Sequence, residues 1–311
     1  MPTALLGLAH HLPAPQRVGS VQRPIFAEPG GPSDLAVPAA GQALREAAIA
    51  APDVEFLIFA TMTPDVTFPG AACYFQDKFG LGTVGALDVR GQCAGFLMGL
   101  MIADDYLRAG IYRNVLLAAG EVHSAGLDYS EAGEPIARLF GDGAAVAVLG
   151  VRSDGNGLES VVCHSDGRHY ERFWIEYPSS RQHPLRLTVD DLRAGKHFPR
   201  IDREHVERFG VDHLPEVVRE ALHAAGVTAQ QIDCFLLSHV LPSVVERSAA
   251  ALALSPSRWV AAGATHGHLT AAALPVALSE ARAAGRIGHG ARVCLAACGA
   301  GYAWGAAVLT I

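Results

Sequence analysis

The chain reads as an α/β protein built twice over. Three observations predict this: short apolar runs of strand length alternate with helix-length segments, the order of elements in the first half recurs in the second, and half of the 311 residues are apolar. Buried strands alternating with helices imply mainly parallel sheets covered on both faces. A chain of this length can bury a large core, as one large unit or two medium ones.

The first segment, Met1-Pro2-Thr3-Ala4-Leu5-Leu6-Gly7-Leu8, reads as a strand, since it lacks the basic start and long apolar stretch of a signal peptide. Next, Ala43-Leu44-Arg45-Glu46-Ala47-Ala48 leads through Asp53 to the strand-like Phe56-Leu57-Ile58-Phe59-Ala60 and then to Thr63-Pro64. In the second half Ala221-Leu222-His223-Ala224-Ala225 leads through Asp233 to Phe235-Leu236-Leu237-Ser238-His239 and then to Leu241-Pro242. The echo continues with a helix-like stretch from Cys93 to Gly110 and another from His268 to Gly285. Apolar strands at 115–120 and 293–297 follow, and glycine-bounded strands at 143–148 and 305–309 close each half. On this alignment Cys93 and His268 occupy equivalent positions, and His239 ends a strand whose carboxyl end faces the same crevice. The repeat divides the chain into 1–152, carrying the cysteine, and 153–311, carrying the histidines. The polar stretch 151–203 between the repeated parts is irregular and has no assigned chemistry.

The net charge of -7 is spread along the chain, so neither nucleic acid nor an anionic membrane surface is an obvious partner. The uncharged segment 293–311 is broken by Gly299, Gly301 and Gly305, and reads as two strands around a turn rather than a membrane span. The six cysteines, without CxxC pairs or the spacing of a secreted scaffold, fit a reducing cytoplasm.

Gly91-Gln92-Cys93-Ala94-Gly95 stands at a strand-to-helix turn. Small neighbours let a substrate approach the sulfur, and the positive end of the helix dipole favours thiolate, the nucleophilic form. A buried structural cysteine is the plainer alternative.

Together these residues resemble the thiolase superfamily, in its β-ketoacyl-acyl-carrier-protein synthase III branch. The likeness covers most of the chain: Thr61-Met62-Thr63-Pro64-Asp65 with Phe68-Pro69, Asp88-Val89 before Cys93-Ala94-Gly95-Phe96, Asn114-Val115-Leu116, Leu139-Phe140-Gly141-Asp142-Gly143-Ala144, His239, and Gly299-Ala300-Gly301 with Trp304-Gly305. The resemblance implies a duplicated five-layered α-β-α-β-α fold and acyl-thioester chemistry. Cys93 would accept an acyl group from coenzyme A or a carrier protein, with the backbone N–H groups of Cys93 and Ala300 as the oxyanion hole. A histidine matched by His239 would then assist decarboxylation of a malonyl thioester, whose carbanion attacks the acyl-enzyme. It also implies a cytoplasmic homodimer in which Phe68 reaches the neighbouring subunit's acyl pocket.

The sequence departs from that pattern in three places. His268 stands where the family has asparagine, giving a Cys-His-His set similar to that of chain-elongating synthases; a neutral imidazole N–H there can polarise a carbonyl, or serve as base for an alcohol or amine acceptor in plain acyl transfer. The amino-terminal segment around Arg17 and Arg23 lacks the family's tryptophan, which shifts weight toward a carrier-protein donor. Arg90 and Gln92 are bulky where the family has small residues, and Gln92 is a candidate for shaping the acyl pocket.

Three other readings compete. A cysteine α/β-hydrolase would explain the nucleophile elbow, yet that fold is not a duplicated pair. His266, His268 and His239 could ligate a metal, but no carboxylate or cysteine stands at ligand spacing, so no metal or cofactor is expected. A non-catalytic subunit supporting an active partner would not need intact Cys93 and His239. His123 reads as a satisfied loop histidine and Asp142 as a turn residue.

Overall fold

The computed structural model describes residues 2–152 and 155–311. The first half runs β1 (Thr3–His11), the hairpin β2 (Pro15–Val18) and β3 (Val21–Pro24), α1 (Pro32–Ala47), β4 (Phe56–Ala60), α2 (Ala71–Phe79), β5 (Gly85–Val89) and α3 (Gly95–Arg108). It closes with β6 (Asn114–Glu121), the short α4 (Glu134–Ala137) and β7 (Gly143–Val151). The second half begins with β8 (Gly157–Ser165), passes through β9 (Phe173–Trp174), α5 (Val189–Arg193) and β10 (Arg200–Ile201), and continues with α6 (Arg203–Ala224), β11 (Cys234–Ser238) and α7 (Pro242–Ala251). Then come β12 (Trp259–Ala262), α8 (Ala273–Ala283), β13 (Arg292–Gly299) and β14 (Ala303–Thr310).

Two five-stranded sheets carry the same strand order. The first is β1-β7-β6-β4-β5; the second, read from its far edge, is β8-β14-β13-β11-β12. In each the inner pairs β4–β6 and β11–β13 are parallel, while β6–β7 and β13–β14 are antiparallel. The strand alternation explains the layering. Val115, Leu117 and Ala119 of β6 turn toward the molecular centre with Val293, Leu295 and Ala297 of β13, in a core shared with α3 and α8. Their neighbours Leu116 and Ala118 face outward onto α1 and α2, and Cys294 and Ala296 face α6 and α7. The result is the expected α-β-α-β-α stack, with sheets buried on both faces. The sheets are mixed rather than mainly parallel as expected, because β1 and β7, like β8 and β14, run antiparallel to their neighbours.

The register of the repeat differs from the sequence alignment. Matching elements first residue to first residue sets Phe56 on Cys234 and Asn114 on Arg292, so Glu121 falls on Gly299. A 3-10 turn precedes each central helix, Gln92–Ala94 before α3 and Thr270–Ala272 before α8. Both turns open on a non-glycine residue in the left-handed region, Gln92 at φ 45° and Thr270 at φ 40°. Cys93 is therefore the counterpart of Ala271, not of His268, which lies three residues earlier. His239 likewise follows its strand, and its counterpart is Thr61. Among the described residues no helix is long and apolar enough to cross a membrane.

Candidate active site

Cys93 is held at the centre of the stack, where the turn 92–94 of one half meets the end of β13 from the other. Gly299 makes the seat: a Cβ there would overlap the Cys93 Sγ. The N–H groups of Ala300 and of Cys93 itself are directed at the sulfur. On the other side His268 Nε2 lies 3.0 Å from Sγ.

His268 reaches that position because segment 139–141 pins its backbone. The His268 N–H donates to the Leu139 carbonyl at 2.7 Å, and the Gly141 N–H donates to the His268 carbonyl at 3.4 Å. The motif Leu139-Phe140-Gly141 thus serves the histidine of the opposite half. His268 Nδ1 is buried without a hydrogen-bond partner among the described residues.

His239 is set by its own turn. Its Nδ1 lies 3.0 Å from the Leu241 N–H and 3.3 Å from the Leu241 carbonyl, and the closer contact assigns the ring proton to Nε2. A Cβ at Gly210 of α6 would come within 2.7 Å of Nε2, so the glycine leaves room for the ring. His239 and His268 line one cavity of about 290 Å³, together with Arg23 of β3 and Trp259 of β12. Cys93 is not part of that wall, although His268 connects the two.

Burial governs the protonation of all three groups. It pushes the Cys93 thiol up to about 12, with the N–H of Ala300 acting downward and the charge of Glu121 acting upward. The expectation of a dipole-favoured thiolate is therefore corrected. A helix terminus contributes about 1 kcal/mol, whereas full burial can shift a group by several pK units, about 1.4 kcal/mol each. Burial also pulls His239 down to about 4 and His268 well below the usual imidazole range, helped there by His239 and His123. Burial thus favours a protonated thiol beside a neutral His268, with a neutral His239 across the cavity.

Of the residues singled out in the sequence, Cys93, His239, His268 and Ala300 come together. Phe68 and Gln92 do not line the cavity bounded by the two histidines. Phe68 is 89% exposed in the loop before α2. The Gln92 amide oxygen lies 3.6 Å from where a Cβ of Gly301 would stand, so this side chain lies along the turn that follows β13. His266 pairs with Glu280 at 2.6 Å while His268 faces the thiol, so the two histidines have different partners. Asp142 ties the turn as expected, accepting from the N–H groups of Phe26 and Ser124 at 2.8 and 2.9 Å.

Two residues near the site, Trp259 and Glu121, carry no motif in the sequence. Trp259 of β12 and Arg23 of the amino-terminal segment bring a tryptophan and an arginine to the cavity, the tryptophan from a segment other than the one in which the family carries it. His123, taken for a loop residue, is buried against the Phe140 ring with its Nε2 3.2 Å from the Thr270 hydroxyl. Glu121 is fully buried beneath the turn at 270–271. A lone acid closing the apolar run of β6 was the available signal for it.

Comparison with known proteins agrees with this geometry. Residues 87–167 match the family described as 3-oxoacyl-acyl-carrier-protein (ACP) synthase III, and residues 222–311 match its C-terminal family. The β-ketoacyl-acyl-carrier-protein synthase III of Rhodospirillum centenum is 36% identical over 94% of this chain and 88% of its own length. The enzyme of the same name from Rhodospirillum rubrum is 36% identical over 95% of this chain and 89% of its own. The crystal structure of the Thermus thermophilus synthase III superposes with a TM-score of 0.87 at 29% identity, covering 99% of both chains.

Proposed function

The chain belongs to the β-ketoacyl-acyl-carrier-protein synthase III family of condensing enzymes, and on that premise we propose a two-stage reaction carried by Cys93, His268 and His239. The observation that supports it most is the 3.0 Å contact between Cys93 Sγ and His268 Nε2.

In the first stage Sγ attacks the carbonyl carbon of an acyl thioester from coenzyme A or acyl carrier protein. With the thiol raised to about 12, a free thiolate is not populated at neutral pH, so the proton passes to His268 Nε2 as the carbon–sulfur bond forms. It leaves on the departing thiol. The N–H groups of Cys93 and Ala300, already aimed at the sulfur, hold the tetrahedral oxyanion. In the second stage a malonyl-type thioester loses carbon dioxide, and the electrons of the broken bond form an enolate beside the His239 Nε2–H. That donor is set in advance by the Leu241 N–H on Nδ1. The enolate carbon then attacks the acyl carbonyl and expels Cys93 as thiolate, which takes a proton from solvent.

The cavity bounded by His239 and His268 would take the pantetheine arm, with Trp259 and Arg23 along it. We further propose a homodimer. Among the described residues β5 pairs only with β4, at the sheet edge, and its residues are exposed or half-buried. Phe68 projects nearby into open space, suited to a partner's acyl pocket. Residues 1–152 and 153–311 are taken as its two thiolase-like halves, with the nucleophile in the first and the histidines in the second.

Intact-protein mass spectrometry with a panel of acyl donors tests the first stage. One adduct on the native chain and none on Cys93→Ala is expected; no adduct, or equal adducts on both, overturns covalent catalysis. Release of carbon dioxide from a malonyl thioester marks condensation, whereas product formed without it would reduce the activity to plain acyl transfer.

A further inference from the structure

The two halves cross over at their centre. The end of β13 seats the turn that carries Cys93, and by the same register the end of β6 lies against the turn Thr270–Ala272. On one side the strand ends in Gly299 and leaves room for a thiol. On the other it ends in Glu121, and the counterpart of the cysteine is Ala271. The carboxyl group of Glu121 thus fills the seat that, across the pseudo-twofold axis, belongs to the sulfur.

Its partners come from both halves. The Thr63 hydroxyl donates to Glu121 Oε2 at 2.6 Å, the Thr63 N–H at 3.1 Å and the Thr61 hydroxyl at 3.2 Å, while the Met62 N–H donates to both carboxyl oxygens at 3.2 Å. From the second half the Thr270 hydroxyl and the Ala271 N–H face the same group. Thr270 holds a left-handed backbone that a threonine rarely adopts, and its hydroxyl also meets His123 Nε2 at 3.2 Å. His268 stands two residues earlier, already pinned on its other side by segment 139–141.

We propose that Glu121 is a positioning residue of the condensing site, clamping the turn that follows His268 to β6 so that the imidazole stays on the Cys93 sulfur. The inference rests on the reading of Cys93 and His268 as reacting groups. Segment 139–141 holds the N–H and the carbonyl of His268 itself; the carboxyl clamp holds the turn at 270–271 that follows. The nearby titratable groups are Cys93, which feels the Glu121 charge, and His123, joined through Thr270. Loop 61–63 brings hydroxyls and amides.

The test follows alkylation of Cys93 by iodoacetamide from about pH 6 to about pH 9, beside turnover with an acyl thioester and circular dichroism of each variant. Thr270→Val keeps the charge and removes the hydroxyl clamp; it is expected to slow alkylation and kcat about 10-fold with KM unchanged, since a small misplacement of the base is costly. Thr270→Ser, which restores the hydroxyl, should return the native rate. Glu121→Gln, which keeps the shape and weakens the bonds to loop 61–63 and to the turn at 270–271, should likewise slow alkylation. A folded Thr270→Val, or a folded Glu121→Gln, alkylated within about twofold of native overturns the clamp. If one of these variants does not fold, the other decides. Should no thioester acylate the native chain, the proposed reaction falls, and the alkylation comparison still judges Glu121.

Discussion

The seat of Cys93 and the seat of Glu121 are one piece of geometry used twice. Each is a strand end meeting a 3-10 turn whose first residue has positive φ. In one the pair is Cys93 with Gly299; in the other it is Ala271 with Glu121. The turns around them differ in the same sense, with His239 opposite Thr61 and the buried His268 opposite the exposed Arg90. The framework supplies position, and single side chains decide whether that position reacts or braces. This follows from packing: the central layer has room for one group at each crossing, so a carboxyl and a thiol cannot share a seat.

The largest way to break the comparison is to remove the group that has no acidic or basic counterpart in the first half. His239→Ala should lower carbon dioxide release from a malonyl thioester by about 1000-fold while Cys93 still takes an acyl group at near the native rate. Stopped-flow acylation beside a carbon dioxide assay separates the two. Equal loss in both stages would place His239 in acylation instead. Next, Gly299→Ala puts a methyl against Sγ, and both alkylation and acylation of Cys93 should fall about 100-fold in a chain that still gives a native circular dichroism spectrum. An unchanged rate would show that the seat does not confine the sulfur.

Stability against pH gives a smaller effect with opposite signs from the buried rings and the buried carboxyl. His123, His239 and His268 are kept neutral by burial, His123 at about 3 and His239 at about 4, so the unfolded chain takes up their protons below its value of 6.5. Their stability is full above pH 6.5 and lost on acidification. Glu121 is raised to about 7 from 4.5, so the native state keeps a proton there that the unfolded chain has released, and its contribution is lost as pH rises. Between about pH 4.5 and 6.5 the three rings outweigh the one carboxyl, and urea melts should show stability falling on acidification. His123→Phe, which keeps a ring against Phe140, should lower that slope by about 1.4 kcal/mol per unit. A flat profile would mean that the rings titrate freely in the folded state.

The architecture was legible because strands buried on both faces leave an apolar signature and because that signature occurs twice. The register was not. Strands β6 and β13 align in register, but α8 (Ala273–Ala283) is three residues shorter than α3 (Gly95–Arg108), so matching the glycine ends Gly110 and Gly285 set Cys93 on His268 rather than on Ala271. Neither Gln92 nor Thr270 is a glycine, so their positive φ left no mark in the sequence. Cys93, His239 and Ala300 were readable because each sits in a distinctive local motif. Glu121 and Trp259 were not, since their partners or shared cavity lie far away along the chain, Thr270 being the example for Glu121. The charge state of Cys93 was misjudged because local sequence reports the helix terminus and not the depth of burial.

The most direct test is a single turnover of chain acylated on Cys93, mixed with a malonyl carrier thioester labelled in its free carboxyl group. One equivalent of labelled carbon dioxide should appear as the acyl mass leaves Cys93 and joins the carrier product. Loss of the acyl group as free acid, or carbon dioxide released at the same rate from His239→Ala, would contradict a thiol and two neutral imidazoles working as one condensing site.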